Sequence, residues 1–124
     1  MSGWSQAQAE HLAAPTEIEV VTQRADGTVR SPRVIWVVSD GDRVFIRSTN
    51  GRTAGWFRAA LRSGSGQILA GGAVHGVTFT KAVPDDLPAV DAAYRAKYGG
   101  RYTGIVDHLL QEGPRSATLQ VLPT

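Results

Sequence analysis

RVIWVVSDGDRVFIRSTNGRTAGW, residues 33–56, reads as two strands joined by a tight turn, followed by a polar, glycine-containing loop that opens a helix. Val34 to Val38 is an unbroken apolar run with β-branched and aromatic members, the composition of a strand covered on both faces. Asp40 and Gly41 supply the turn, since Asp-Gly between two such runs suits a type I′ hairpin, whose two central residues need positive φ. Arg43 to Ser48 then runs outward and delivers Arg47, Ser48, Thr49, Asn50, Gly51 and Arg52 to the edge of a sheet.

Upstream, Ser5 to Ala14 has the makings of a short helix with Ser5 as N-cap, and Pro15 stops it. Glu17 to Gln23 alternates, with Ile18, Val20 and Thr22 on one face, the period of a half-buried strand. Asp26 and Gly27 turn the chain into a second strand that starts near Thr28, passes Pro32 and continues through Trp36. Pro32 cannot donate to a ladder and marks that stretch as an edge or a bulge. The first half is thus a meander of three strands on two Asp-Gly turns.

Downstream, Thr53 to Arg62 reads as one amphipathic helix, with Ala54, Phe57 and Leu61 on one face and Arg58 and Arg62 on another. After a break at Ser63 to Gly66, the strands Gln67 to Ala70 and Ala73 to Thr80 flank a Gly71-Gly72 hairpin, and the second places His75, Val77 and Phe79 on one face. Leu87, Val90, Tyr94 and Tyr98 recur at helical spacing behind a cap at Asp85 or Asp86, with Asp91 and Arg95 as an i, i+4 pair and Gly99-Gly100 at the end. Thr103 to Glu112 is a further helix stopped by Gly113-Pro114, and Ser116 to Leu122 alternates as a last strand. Hairpin connections require antiparallel pairing, and a small sheet of this kind commonly closes on itself to remove its edges. The expected fold is α+β: one domain, residues 1–124, holding a six-stranded antiparallel barrel flanked by helices.

Composition narrows the function classes. No stretch approaches the roughly twenty apolar residues of a membrane span, and MSGWSQAQAEHLAAP lacks the basic start and apolar block of a signal peptide. Intracellular, cytoplasmic residence is therefore expected. Cysteine is absent, which removes disulfides, thiolate nucleophiles and cysteine-held metal. A net charge of +2 is too small to imply nucleic-acid binding. Eleven of the 13 basic residues are Arg, only Lys81 and Lys97 being lysine, so position matters more than number: arginine abundance follows from GC-rich coding as readily as from anion binding.

No G-x-S-x-G elbow, phosphate loop or dinucleotide fingerprint is present, and His11, His75 and His108 fall in three separate elements without a metal-binding spacing. What remains is the polar run Arg47 to Arg52 ahead of a helix bearing Trp56 and Arg58. Hydroxyls, backbone N–H groups, a helix start and arginine are how a small fold cradles an anionic group, with tryptophan to stack on a flat ring. An ordinary strand-to-helix connection with Trp56 in the core reads the same way. His75 is open to two readings as well, a histidine satisfied on a barrel face or an acid–base group.

Gly27 to Arg33, Asp40-Gly41, Arg47-Ser48, Gly51 and Gly55-Trp56-Phe57 together resemble the pattern of split-barrel proteins that bind flavin or deazaflavin. The resemblance is closest to the deazaflavin-dependent nitroreductase type, related to the pyridoxamine-phosphate-oxidase-like proteins. DAAYRAKYGG, Asp91 to Gly100, and SATLQVLP, Ser116 to Pro123, resemble an uncharacterised small family among the split barrels. This resemblance implies a homodimer with ligand sites at the subunit interface, and flavin mononucleotide (FMN) or the deazaflavin F420 as cofactor of an oxidoreductase acting on a small organic molecule. Its cofactor contacts would be Arg33, Trp36, Arg47, Ser48, Thr49, Asn50, Gly51, Arg52 and Trp56, with the Arg47 to Arg52 loop on the phosphate and the two tryptophans bordering the ring. The chain departs from the nitroreductase type after Trp56, where Arg58-Ala59-Ala60-Leu61-Arg62-Ser63 replaces the usual Asn-Leu and Asn-Pro. Two other readings use the same cavity. One is a cofactor-free, cyclase- or isomerase-like enzyme of secondary metabolism with arginine and His75 as polarising or catalytic acid–base groups, and the other a ligand-binding protein without chemistry.

Overall fold

The computed structural model describes residues 3–124. In chain order its elements are α1 (Gln6–Leu12), β1 (Ile18–Val21), β2 (Arg33–Ile35), β3 (Val37–Asp40), β4 (Arg43–Arg47), α2 (Gly55–Ser63), β5 (Ser65–Ala70), β6 (Ala73–Lys81), α3 (Leu87–Tyr98), α4 (Thr103–Leu109), α5 (Glu112–Arg115) and β7 (Thr118–Pro123). The strands form one antiparallel sheet in the order β2-β1-β5-β6-β7-β4-β3. Seven strands stand where six are expected, because Trp36 interrupts the long second strand. Ile35 still pairs with Ile18 of β1, whereas Val37 already pairs with Ile46 of β4. The side chains nevertheless keep alternating: Ile35 and Val37 enter one core cluster, Trp36 and Val38 the other. One stave thus serves both edges of the sheet and all but closes the barrel.

Other expectations shift with the same physics. Only Val37 and Val38 of the apolar run are covered on both faces; Val34 is 60% exposed. No strand forms between Thr28 and Pro32, where a single Gln23–Val29 bridge stands in its place. The β3–β4 loop is Gly41-Asp42, with positive φ at Gly41 alone, the pattern of a II′ turn and not I′. Gly113 and Pro114 lie inside α5 instead of stopping a helix. Asp86 makes no side-chain cap; its carboxylate accepts from Arg43 at 2.8 Å. Ser5 does cap α1, in a reciprocal capping box with Gln8.

Two packed layers result. Inside the barrel, Val20, Val44, Ile46, Ile68, Val77, Leu119 and Val121 meet Leu12 of α1 and Phe57 of α2. Outside it, α3 and α4 press Val90, Tyr94, Tyr98, Val106 and Leu109 onto Val38 and Phe45. Tyr98 pins this outer layer. Its ring stacks on Trp36 with centroids 3.9 Å apart and planes 5° apart, and its hydroxyl donates to the Thr16 carbonyl at 2.7 Å while accepting from the Val37 N–H at 3.2 Å. Lys97 donates to the carbonyls of Ala13, Pro15 and Val37, tying the end of α3 to the segment between α1 and β1. No helix among the described residues is long and apolar enough to cross a membrane.

Burial pushes the Tyr98 phenol up to about 12 and raises that of Tyr94 further, and it pushes the Lys97 ammonium down to about 8. A raised folded pKa gives stability that is present below the unfolded value and lost as pH climbs through the folded one. Lys97 works in the opposite sense, since the unfolded chain binds more protons between pH about 8 and about 10.5. Stability is therefore expected to hold or rise up to pH about 10 and to fall between about 10 and 12, with the Tyr94 and Tyr98 phenolates appearing only as the protein unfolds. Thermal melts recorded alongside tyrosinate absorbance test this; phenolate growth from these two tyrosines in a still-folded protein would contradict it.

Candidate functional site

The strand break at Trp36 leaves a cavity of about 270 Å³ at the seam of the barrel. Arg33, Ile35 and Trp36 form one wall, Arg47, Thr49 and Asn50 another, and Trp56 of α2 with Ile105 and Leu109 of α4 the rest; Glu17 lies at the rim. The register explains why these meet. β4 pairs with β3 on one side and β7 on the other, so the residues after Ile46 emerge where the shared stave changes partner.

Arg47 is the most constrained side chain of the site. It follows Phe45 on the outer face of β4 and is 2% exposed, beneath α3. Its Nε donates to Thr118 Oγ1 at 2.8 Å, and Nη1 donates to Asp91 Oδ1 at 2.7 Å and to the Leu109 carbonyl at 3.0 Å. The guanidinium carbon sits 5.2 Å from the Tyr94 ring centroid. Arg115 donates to the other Asp91 oxygen at 3.0 Å, so one carboxylate serves two guanidiniums. Arg47 Nη2 is buried with no partner, as are Ser48 Oγ and Tyr94 Oη. An unmade hydrogen bond at a buried donor costs about 1–3 kcal/mol, more for a charged one, so such a group is ready to receive an acceptor.

Of the residues expected to contact a cofactor, Arg33, Trp36, Arg47, Thr49, Asn50 and Trp56 line this cavity together. Ser48 and Gly51 are buried beside it, Gly51 backing onto Gly113 of α5, and Arg52 is exposed outside the lining. Thr49 lends its carbonyl to His108 Nε2 at 2.7 Å. His75 is not brought to this place. It lies against α1, edge-on to Trp4 at 6.4 Å, in a separate cavity with Ala7, His11 and Leu12. Among the described residues, no three acidic or histidine side chains converge to hold a metal ion.

Asp91 was expected to pair with Arg95 along α3; instead it faces the sheet and takes Arg47 and Arg115. The sequence does carry a signal for this. Asp91 falls on the stripe of Leu87, Tyr94 and Tyr98, where an acid must be buried and therefore paired. Thr118, its neighbour across Arg47, carries no comparable mark.

The barrel with its helical cover has the split-barrel fold, the one seen in solved proteins named for pyridoxamine 5′-phosphate oxidase. By sequence the chain belongs to DUF2255, "Uncharacterized protein conserved in bacteria", whose pattern it matches over residues 8–121. Among solved structures it is similar to the conserved hypothetical protein Rv2991 of Mycobacterium tuberculosis, with 15% identity over 97% of this chain and 79% of that one and a TM-score of 0.64. It is also similar to a Listeria innocua protein named for pyridoxamine 5′-phosphate oxidase, at 8% identity, 95% and 90% coverage and TM-score 0.59. A pyridoxamine 5′-phosphate oxidase-related, FMN-binding protein of Nostoc punctiforme matches at 11% identity, 94% and 76% coverage and TM-score 0.51. At these identities the likeness is one of fold. No curated protein matches the sequence.

If Asp91 is what makes the buried Arg47 tolerable, Asp91→Ala should cost about 3–5 kcal/mol, the usual penalty for stranding one partner of a buried pair. Arg47→Met combined with Asp91→Leu should cost clearly less than either single change to alanine. Urea unfolding reads both, and equal, small losses for all three variants would show that the pair carries no such weight.

Proposed function

We propose that the cavity at the barrel seam binds the planar ring of a flavin-type cofactor, FMN or F420, and that the protein is an oxidoreductase acting on a small organic molecule. The observation that carries this reading is a cavity walled by two tryptophans, Trp36 and Trp56, whose lining includes Arg47, a residue with a buried and unpartnered guanidinium nitrogen, Nη2. Carbonyl oxygens and ring nitrogens of an isoalloxazine or deazaflavin are acceptors in the plane of a flat apolar body. Such a ligand fits Arg47 set between Trp36 and Trp56 better than a tetrahedral anion would. Arg47 is held by Asp91, a carboxylate it shares with Arg115, and acts as a directed hydrogen-bond donor more than as a free charge. The FMN-binding relative of Nostoc punctiforme shares the fold.

When bound, the ring would supply hydride chemistry. The chain's own part is positional. Trp36, clamped on Tyr98, gives a rigid wall; Ile105 and Leu109 keep water from that side; Arg47 fixes the ring's edge; Thr49 and Asn50 are exposed polar groups at the mouth. A volume of about 270 Å³ lies just below the usual ~300–1,000 Å³ of ligand pockets, so the ring enters and the remainder of the cofactor lies outside. His75 has no role in this site.

We propose further that the protein is a homodimer in which a second copy covers the uncovered sheet face around Val34 and Val74, each 60% exposed. Sedimentation should give a dimer that Val74→Glu dissociates; a monomer at micromolar concentration would remove this part.

The cofactor reading is tested by the absorbance spectrum of the purified protein and by fluorescence titration with FMN and with F420. Saturable micromolar binding of one is expected, with Trp36→Ala weakening it at least tenfold (about 1.4 kcal/mol) while the protein stays folded. A folded protein that binds neither sinks the reading.

A further inference from the structure

Four arginines meet on the far side of the start of α2. Arg24 and Arg30 come from the loop between β1 and β2, Arg58 and Arg62 from successive turns of the helix. With Ala25, Gly55 and Ala59 they line a cavity of about 170 Å³ that contains no acidic residue. Among the described residues none of the four takes part in an ion pair, although Arg43, Arg47 and Arg115 all do. Asp26, the acid of the same loop, has its carboxylate turned to the N–H and hydroxyl of Thr28, at 3.0 and 2.7 Å. Arg24, Arg58 and Arg62 are exposed and Arg30 half-buried, and of the four Arg24 alone acts on the Asp26 carboxylate.

The placement is specific. Arg62 Nη2 donates to the Gln23 carbonyl at 2.8 Å and Arg24 Nη1 to the Val29 carbonyl at 3.2 Å, which fixes two guanidiniums by their backbone contacts and leaves further N–H groups on each. Arg30 packs over Gly55: a Cβ there would sit 2.5 Å from Arg30 Nη2, so a larger residue at the first turn of the helix would push the guanidinium aside. Arg30 Nε is buried with no partner. Gly55 lines this cavity while Trp56, the next residue, lines the ring cavity, so the two flank one helix end.

We infer that this cavity is an oxyanion site for a ligand bearing at least two neighbouring negative groups, and that it takes the part of the cofactor that the ring cavity cannot hold. The inference rests on the proposed ring binding for the identity of the whole ligand, but not for the site itself. One phosphate engages two guanidiniums well. Four, on two elements, match a diphosphate or a polycarboxylate tail.

Calorimetry with inorganic phosphate, pyrophosphate and citrate on the full chain tests it, with amide shifts of Gly55 and Arg58 locating the ion. Pyrophosphate or citrate should bind at least tenfold tighter than phosphate, with the shifts centred on the start of α2. Arg58→Gln with Arg62→Gln should weaken that binding at least tenfold, whereas Lys81→Gln with Arg101→Gln, which removes the same charge elsewhere, should change it less than twofold. Equal weak binding of all three anions, or equal losses in the two double variants, would overturn the inference. Riboflavin, which has a ring and no anion, separates the two proposals. Its binding should survive Arg58→Gln with Arg62→Gln, and failure of riboflavin alone would count against the ring cavity and not against the anion site.

Discussion

A complete guanidinium buried between a strand and a helix is the constraint on which the outer layer depends. Arg47 leaves β4 on the face that α3 covers, and α3 can cover it only because Asp91 arrives on the apolar stripe of that helix. Thr118 on β7 and the Leu109 carbonyl at the end of α4 complete the coordination. Strand, strand, helix and helix are thereby indexed to one side chain. Burial of a charge is costly unless every hydrogen finds an acceptor, and here the two on Nη2 do not. A group so firmly held yet incompletely satisfied can present a donor at a fixed position, which is what recognition of a planar ligand edge requires.

Barrel closure provides the space. The stave from Arg33 to Asp40 pairs with β1 by its first half and β4 by its second, and Trp36 stands at the change. A ladder that changes partner leaves a gap on its outer side, and the stacked Trp36 and Tyr98 keep that gap from collapsing. The polar run after β4 opens at the same gap because the two strands are hairpin neighbours. Site and fold thus share one cause.

Much of this was legible in advance. Alternation and turn residues gave the strands around Ile18, Arg43, Ile68, Val77 and Leu119 and the near-closed barrel, since period-two patterning and Gly-containing turns are local signals, while the stretch from Thr28 to Pro32 forms no strand. Arg47, Thr49, Asn50 and Trp56 could be named from the polar run ahead of the helix, whereas Arg33 and Trp36 entered through the resemblance to split-barrel proteins. What escaped was non-local. The division of one strand between two partners depends on where β1 and β4 lie in space, and nothing in Val34 to Val38 marks it. Asp91 reads as a surface helix pair with Arg95 unless its place on the apolar stripe is weighed. Arg24 and Arg30 look like loop arginines, and Arg58 and Arg62 like a solvated helix face, until the β1–β2 loop is laid against α2.

The central claim is that a planar ring sits between Trp36 and Trp56 against Arg47. The most direct measurement is the nitrogen–proton spectrum of the indole N–H groups as FMN or F420 is added, with Trp4, in the separate cavity beside His75, as internal reference. The account predicts saturating shifts for Trp36 and Trp56 and a still signal for Trp4. Shifts at Trp4 alone, or no shift at any indole with a ligand that demonstrably binds, would contradict it.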